Sequence, residues 1–397
     1  MQDKVVLAFS GGLDTSYCAI YLAEELKLDV HSVIVNTGGF PPEEVEEIEK
    51  RARQLGLKNH VTLDETRKFY KECVRYLIYG NVLKNNTYPL SVSAERVFQA
   101  LAIVNYAREI GAKYIAHGST GAGNDQVRFD LMFQILAPDI EIITPIRDQK
   151  LTRKEEVDFL KKHGVDWEWK KAQYSINKGL WGTSVGGVET LSSDAPLPGE
   201  AYPSQLKKEG SEKLTIGFEK GEPVSLNGKR NDPVEIIREV EKIAGQYAIG
   251  RDIHVGDTII GIKGRVGFEA AAPLILIKGH HLLEKHTLTK WQLYWKEQLG
   301  NWYGMLLHEG QYLDPVMRNI EKFLEDSQKY VSGDVFVRLS PYRFELEGIR
   351  SDYDLMSSKF GSYGEQNLAW TGEDVKGFTK ILSNQMKIYH LIHREND

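Results

Sequence analysis

Residues 4–16, Lys-Val-Val-Leu-Ala-Phe-Ser-Gly-Gly-Leu-Asp-Thr-Ser, narrow the choice of folds more than any other stretch. Val5 to Phe9 form a short apolar run without helical alternation, the pattern of a strand buried on both faces of a parallel sheet. Ser10, Gly11 and Gly12 break the run, and a helical pattern follows from Thr15 to Leu26. A strand that ends in a glycine-bearing turn and opens a helix aims several backbone N–H groups at one point. The helix dipole adds positive charge there, so the turn suits a phosphate that a Cβ would hold off. Strand patterns recur at Asp29 to Val35, His60 to Leu63, Lys113 to Ala116 and Ile140 to Pro145. Helical patterns separate them at Glu43 to Leu55, Glu65 to Ile78 (with Asp64 as cap) and Ala94 to Ile110, and one more follows from Thr152 to His163. This alternation predicts a doubly wound parallel sheet, whose ligands sit at the carboxyl ends of strands.

The first turn has no Gly-Lys-Ser/Thr ending and no spaced glycine triplet, so neither common nucleotide fingerprint fits. It resembles instead the pyrophosphate loop of enzymes that split ATP between its α- and β-phosphates. A second polar, glycine-bearing stretch, His117 to Asp130, opens at another strand end. There Asn124 offers both donor and acceptor, Asp125 can hold an ammonium group, and Arg128 can hold a carboxylate bidentately. Such a mixture suits an amino-acid ligand.

A length of 397 residues allows two well-buried cores. The formal net charge of −6 argues against a general nucleic-acid binder. The two cysteines, Cys18 and Cys73, cannot make a disulfide framework and fit a reducing compartment. No apolar run reaches membrane-spanning length and no signal-peptide pattern opens the chain, so the expected location is the cytoplasm.

Past His163 the texture changes. Trp167, Trp169, Trp181 and the Gly, Ser and Pro content of 173–205 predict a long ordered loop. Leu214 to Phe218 and Pro223 to Leu226 read as a hairpin, Asn227-Gly228 as a tight turn and Pro233 to Ala244 as a helix. Strands are expected at Thr258 to Lys263 and Leu274 to Ile277, then a helix from Leu282 to Leu299. Val335 to Leu339 and Tyr342 to Glu347 read as an antiparallel pair broken at Pro341. A C-terminal helix from Asp374 to Arg394 carries Phe378, Ile381, Leu382, Met386, Ile388, Tyr389 and Ile392, more than one narrow stripe. That surface packs on another subunit or on the chain's own domain.

Ala8 to Ser16, His117 to Phe129, and Tyr174-Ser175 followed by Ser184 together resemble the argininosuccinate synthase family over nearly the whole chain. The resemblance implies an AMP-forming ligase that joins citrulline to aspartate through a citrullyl-adenylate, releasing pyrophosphate. It implies an α/β chain in three parts: a nucleotide-binding domain at 1–165, an α+β synthetase domain at 166–370 and an oligomerisation helix at 371–397. Small-molecule substrates and a homotetramer follow from it, with no nucleic-acid or membrane partner. It assigns the phosphates to Ala8, Phe9, Ser10, Gly11, Gly12, Leu13, Asp14, Thr15 and Ser16, with Val35 at the adenosine and Gly118 beside the nucleotide. Aspartate falls to Thr120, Asn124 and Asp125. Citrulline falls to Tyr88, Ser93, Asn124, Arg128, Ser175 and Ser184. Asp14, Arg96 and Asp125 stand nearest the chemistry. Mg2+ arrives with ATP, bound chiefly by its phosphate oxygens with Asp14 helping to position it, and no prosthetic group is implied.

Three departures from the family pattern bear on this. Pro89 to Ser93 replaces a Leu-Leu-Gly-Thr-Ser run, and Ala122 replaces a lysine between glycines. Gly256 and Phe268 stand where the family has a glutamate and a tyrosine at the amino-acid end of citrulline. A missing carboxylate removes the partner of an ammonium group. Either Asp257 substitutes, or the correspondence with the family shifts by one residue here, or the pocket takes a citrulline whose α-amino group is acylated. A different ATP-pyrophosphatase-type amide ligase and a catalytically silent nucleotide sensor complete the alternatives.

Overall fold

The computed structural model describes residues 2–121, 123–167, 169, 174–357 and 369–394. The first half runs β1 (Lys4–Ala8), α1 (Leu13–Ile20), β2 (Asp29–Asn36), α2 (Pro42–Gln54), β3 (Asn59–Asp64), α3 (Thr66–Phe69), α4 (Arg75–Tyr79), α5 (Ser91–Glu109), β4 (Tyr114–Ala116), α6 (Asp125–Leu136), β5 (Glu141–Ile143), α7 (Pro145–Asp148) and α8 (Arg153–Lys162). A π-turn, Tyr70–Val74, joins α3 to α4, and another, Tyr21–Glu25, extends α1.

The five strands pair in parallel in the order β3-β2-β1-β4-β5. Val5, Val6 and Leu7 of the central β1 are wholly buried, as their unbroken apolar run requires. The strand order reverses between β1 and β4, which opens a crevice at their carboxyl ends. Leu7, Leu13, Cys18, Ile48 and Leu160 form the core on one face of this sheet. On the other face a larger core runs from Val33 and Val35 through Val97 and Phe98 of α5 to Trp181, Phe268 and Ile275.

The second half runs β6 (Ser175–Gly179), β7 (Gly182–Gly186), β8 (Glu212–Glu219), β9 (Glu222–Leu226), β10 (Lys229–Arg230), α9 (Pro233–Gly245), β11 (Arg251–Asp257), β12 (Lys263–Glu269), α10 (Ala271–Thr287), α11 (Lys290–His308), α12 (Pro315–Ser327), β13 (Gly333–Ser340), β14 (Arg343–Arg350), α13 (Gly372–Leu382) and α14 (Asn384–Arg394). Two antiparallel sheets result, in the orders β10-β9-β8-β13-β14 and β11-β12-β7-β6. Asn227 and Gly228 both take positive φ, the pairing a two-residue hairpin turn needs. Asp232 caps α9 by accepting from Val234 N at 3.0 Å, with Pro233 at the first helical position.

Five expectations need correction. The 173–205 segment, of which residue 173 lies outside the described residues, contains the β6–β7 hairpin. Its short polar strands are held by burial of Leu180 and Trp181 at the turn. Thr258 to Lys263 is mostly the turn between β11 and β12, closed by Thr258 N donating to Ile262 O at 2.8 Å; only Lys263 is strand. Leu274 to Ile277 belongs to helix α10, since a short apolar run fits a buried helix as well as a buried strand. The helix expected at 282–299 is two helices, because Leu288 is extended and Thr289 starts α11 with a capping box to Gln292. The C-terminal helix likewise breaks between α13 and α14 at Ser383, and neither half buries a residue.

Candidate active site

A cleft of about 710 Å³ opens at the carboxyl ends of β1, β2 and β4. Of the candidate nucleotide residues, Ala8, Phe9, Ser10, Gly12, Leu13, Asp14, Thr15, Val35 and Gly118 line it. The first turn of α1 supplies Leu13, Asp14 and Thr15, whose helical position leaves their N–H groups without intrahelical acceptors. Gly11 and Ser16 do not line the cleft. Gly11 turns away at φ 72°, its carbonyl accepting from Arg51 Nη1 at 3.0 Å, and Ser16 is buried in α1. The two glycine-bearing bends meet: a Cβ on Gly118 would lie 3.3 Å from the backbone of Asp14.

Arg96 and Asp125 stand on the same wall. Arg96 Nε donates to Asp125 Oδ2 at 2.9 Å, and Arg128 Nη1 donates to Asp125 Oδ1 at 3.0 Å. Burial works against the charge on Asp125, but the two guanidinium groups outweigh it and hold its carboxyl below the usual range. Arg128 is buried and also donates through Nε to His308 O at 2.9 Å. Burial, with Arg128 alongside, pushes His308 down to about 2, so its ring is neutral and Nδ1 can accept from Arg128 Nη2 at 3.3 Å.

The remaining candidates for amino-acid contact sit outside the open cleft. Thr120 is exposed in the loop after β4. Asn124 Oδ1 accepts from Ile259 N at 2.9 Å, tying α6 to the β11–β12 turn. Tyr88 is buried with its ring 5.1 Å from His254 and 5.4 Å from Phe268. Ser93 donates to Leu90 O at 2.7 Å, Ser175 is exposed at the start of β6, and Ser184 is buried on β7 opposite Phe268. The Gly256 and Phe268 departures are structurally connected. A Cβ on Gly256 would come within 2.6 Å of His254 Nε2, so the glycine makes room for the ring that stacks on Tyr88. Asp257 is exposed and paired with Lys263 at 2.7 Å.

Three groups were not legible as site residues in the sequence. His117 is buried; its Nδ1 accepts from Ser119 N at 3.2 Å, so Nε2–H donates to Asp130 Oδ1 at 2.9 Å. Asp130 in turn holds Arg147 at 2.6 Å, which fixes the loop carrying Gly118. Glu156 of α8 lies beside Asp14, and burial together with that carboxylate pushes it up to about 8. Glu95, next to Arg96, lines the cleft although almost wholly buried. Among the described residues no group of three or more His, Cys, Asp or Glu is arranged to hold a metal ion.

A doubly wound α/β protein with two glycine-bearing bends facing one polar cleft at its switch point is the class these features define. Comparison with known proteins narrows it. Two family models match, the arginosuccinate synthase N-terminal HUP domain over residues 4–166 and the arginosuccinate synthase C-terminal domain over residues 174–389. The chain is 36% identical over 396 residues to the argininosuccinate synthase of Methanocaldococcus jannaschii, covering 98% of this chain and 99% of that one. It is 36% identical to the enzyme of Dictyoglomus thermophilum over 400 residues, all of both chains. With that of Xanthomonas campestris pv. campestris it shares 37% over 407 residues, 99% of this chain and 100% of the other. The chain belongs to the argininosuccinate synthase family and is an enzyme of the ligase class.

Proposed function

We propose that the chain condenses citrulline with aspartate, using ATP and releasing AMP and pyrophosphate. The ureido oxygen of citrulline is a poor leaving group. Its attack on the α-phosphorus expels pyrophosphate and makes a citrullyl-adenylate; the aspartate amine then attacks the ureido carbon and AMP departs. Alignment and charge stabilisation carry such a reaction, so no side-chain nucleophile is required.

The observation that carries this reading is the packing of Gly118 against Asp14, which brings both bends to one cleft with Arg96 and Asp125 on its wall. In this reading the first turn of α1 binds the phosphates and Val35 lies at the adenosine. Asp125 and Asn124 hold the aspartate, and Arg128, Tyr88, Ser93, Ser175 and Ser184 form the citrulline end. Mg2+ would enter with ATP, bound chiefly by the phosphate oxygens, and Asp14 would help position it. The parts 1–165, 166–370 and 371–397 keep the roles given above, and the enzyme works in the cytoplasm; no described helix is long and apolar enough to cross a membrane. The wholly exposed α13 and α14, with Phe378, Ile381, Leu382 and Met386 among their uncovered residues, dock on a neighbouring copy in a homotetramer.

Pyrophosphate release decides the matter when measured with ATP alone, with each amino acid added singly, and with both. Sustained release only with both, with at most one equivalent per site from citrulline alone, supports the condensation. Release with ATP alone, or none under any condition, overturns it. Family membership favours free citrulline, and replacing it by N-acylcitrulline in the same assay tests the acylated substrate.

A further inference from the structure

Glu95 is a buried acid that the reaction above leaves without a task. It stands near the start of α5, 2% exposed, with its carboxylate on the cleft wall. Oε2 accepts from Thr37 Oγ1 at 2.8 Å and Oε1 accepts from Leu180 N at 3.0 Å. Thr37 opens the loop after β2, and Leu180 lies in the two-residue turn between β6 and β7. One carboxylate therefore joins three segments that are remote in sequence. The approach is close enough that a Cβ on Gly179 would strike Glu95 Oε1, and one on Gly39 would strike Lys178 O.

Resting on the reading of the cleft as a nucleotide site, we propose that Glu95 is a positioning residue: its ionised carboxylate clasps Thr37 and Leu180 and so fixes the wall against which the adenosine lies. An ionised carboxylate accepts only, which matches a hydroxyl and an amide that both donate. Protonation turns one oxygen into a donor. The Leu180 amide can only donate, so the proton must go toward Thr37, and both bonds lose their charge assistance, which roughly halves them.

The charged and titratable groups around this carboxylate come from five elements. Arg96 lies beside it on α5, with Asp125 of α6 bound to Arg96. The Cys73 thiol approaches from the π-turn between α3 and α4, and Lys178 of β6 and Glu44 of α2 line the same cleft. Burial raises Glu95 to about 7, against the opposing pull of Thr37, Arg96 and the Leu180 amide. The clasp thus weakens as pH falls through neutrality.

The test measures KM for ATP and kcat between pH 6 and 8.5 in wild type, Glu95→Gln, Glu95→Ala and Thr37→Val, alongside hydrogen exchange at the Leu180 amide without substrates. The wild-type KM is expected to rise about fivefold as pH falls through 7, with kcat little changed. Glu95→Gln, which copies the protonated acid, holds that raised KM flat across the range. Glu95→Ala raises KM further, also flat, and unprotects the Leu180 amide. Thr37→Val removes a donor that favours the ionised form and moves the wild-type inflection to higher pH. An inflection that survives in Glu95→Gln, or Leu180 protection unchanged in Glu95→Ala, overturns the proposal. Should the exchange result hold while no variant nor wild type turns over, the condensation fails and the clasp stands as a structural contact alone.

Discussion

Arg96 Nε meets Asp125 Oδ2 at 2.9 Å, so the cleft wall is braced by an ion pair between the second turn of α5 and the first turn of α6. Arg128 pairs with the other oxygen, so Asp125 is shared while each arginine depends on it. That asymmetry separates catalysis from stability. Arg96→Ala leaves Asp125 with a partner, and its stability cost is expected to stay below about 1 kcal/mol. Its kcat should fall about 100-fold, the usual loss when a donor poised for developing charge is removed. Asp125→Ala instead leaves two adjacent guanidinium groups without their shared carboxylate, although Arg128 keeps His308 and Arg96 keeps Gln99. The guanidinium groups left behind are 3% exposed at Arg128 and 17% exposed at Arg96, so the variant is expected to lose about 3 kcal/mol, the cost of uncompensated buried charge. Urea unfolding and steady-state rates on both variants check the contrast.

Glu156 gives a pH signature of its own. Burial and the neighbouring Asp14 raise its carboxyl from an ordinary 4.5 to about 8 in the folded chain. The folded state therefore holds a proton that the unfolded chain releases near 4.5, so this group's contribution to stability declines as pH rises from about 4.5 and is lost by about 8. Glu156→Gln keeps a neutral donor for Asp14 at every pH. Its Tm should match wild type near pH 5 and exceed it by about 2–4 °C at pH 8. A variant less stable than wild type at pH 8 would falsify this assignment of charge.

The contrast between Val5–Leu7 and Glu95 shows where the sequence was informative. A run buried on both faces of a parallel sheet must be apolar throughout, and a loop at a strand end must be small and polar, so both bends and the sheet were readable. Ile259, Ile260 and Ile262 also read as a strand, yet they lie in the β11–β12 turn, with Ile260 and Ile262 exposed. Side-chain type does not report burial at a hairpin tip. Leu274 to Ile277 fits either periodicity, and only the length of α10 separates them. Glu95 and Glu156 were illegible for another reason. A glutamate in a helical pattern ordinarily faces water, and only tertiary packing brings Leu180 or Asp14 against it.

Gly39 tests how much the cleft wall depends on close backbone approach. Its missing side chain allows Lys178 O to pack against the loop after β2, with Gly179 Cα 2.9 Å from where a Cβ would stand. Both obstacles are backbone, so no rotamer change relieves them. Gly39→Ala is expected to displace the β6–β7 hairpin, cost about 1–3 kcal/mol and raise KM for ATP. Gly56→Ala is a control with open space at its Cβ, although its φ of 78° still strains an alanine. It should lose stability without the change in KM, since Gly56 lies outside the residues lining the cleft.

The C-terminal helices are apolar in composition yet bury none of their described residues. Phe378, Ile381, Leu382, Met386, Ile388, Tyr389, Leu391 and Ile392 are each more than half exposed, although α13 begins with a complete capping box at Thr371 and Asp374. A capped pair of helices that buries nothing at home gains its packing elsewhere, since a short helix in water is marginal without an apolar partner surface. Ending the chain at Thr371 should leave the Tm of the remainder within about 3 °C at micromolar concentration or below, where the contribution of subunit contacts is smallest. The same truncation should lower the mass measured by light scattering below that of the full-length chain, from the proposed tetramer to a dimer or monomer. A truncated chain that still elutes as the full assembly would assign the tetramer contacts to other surfaces.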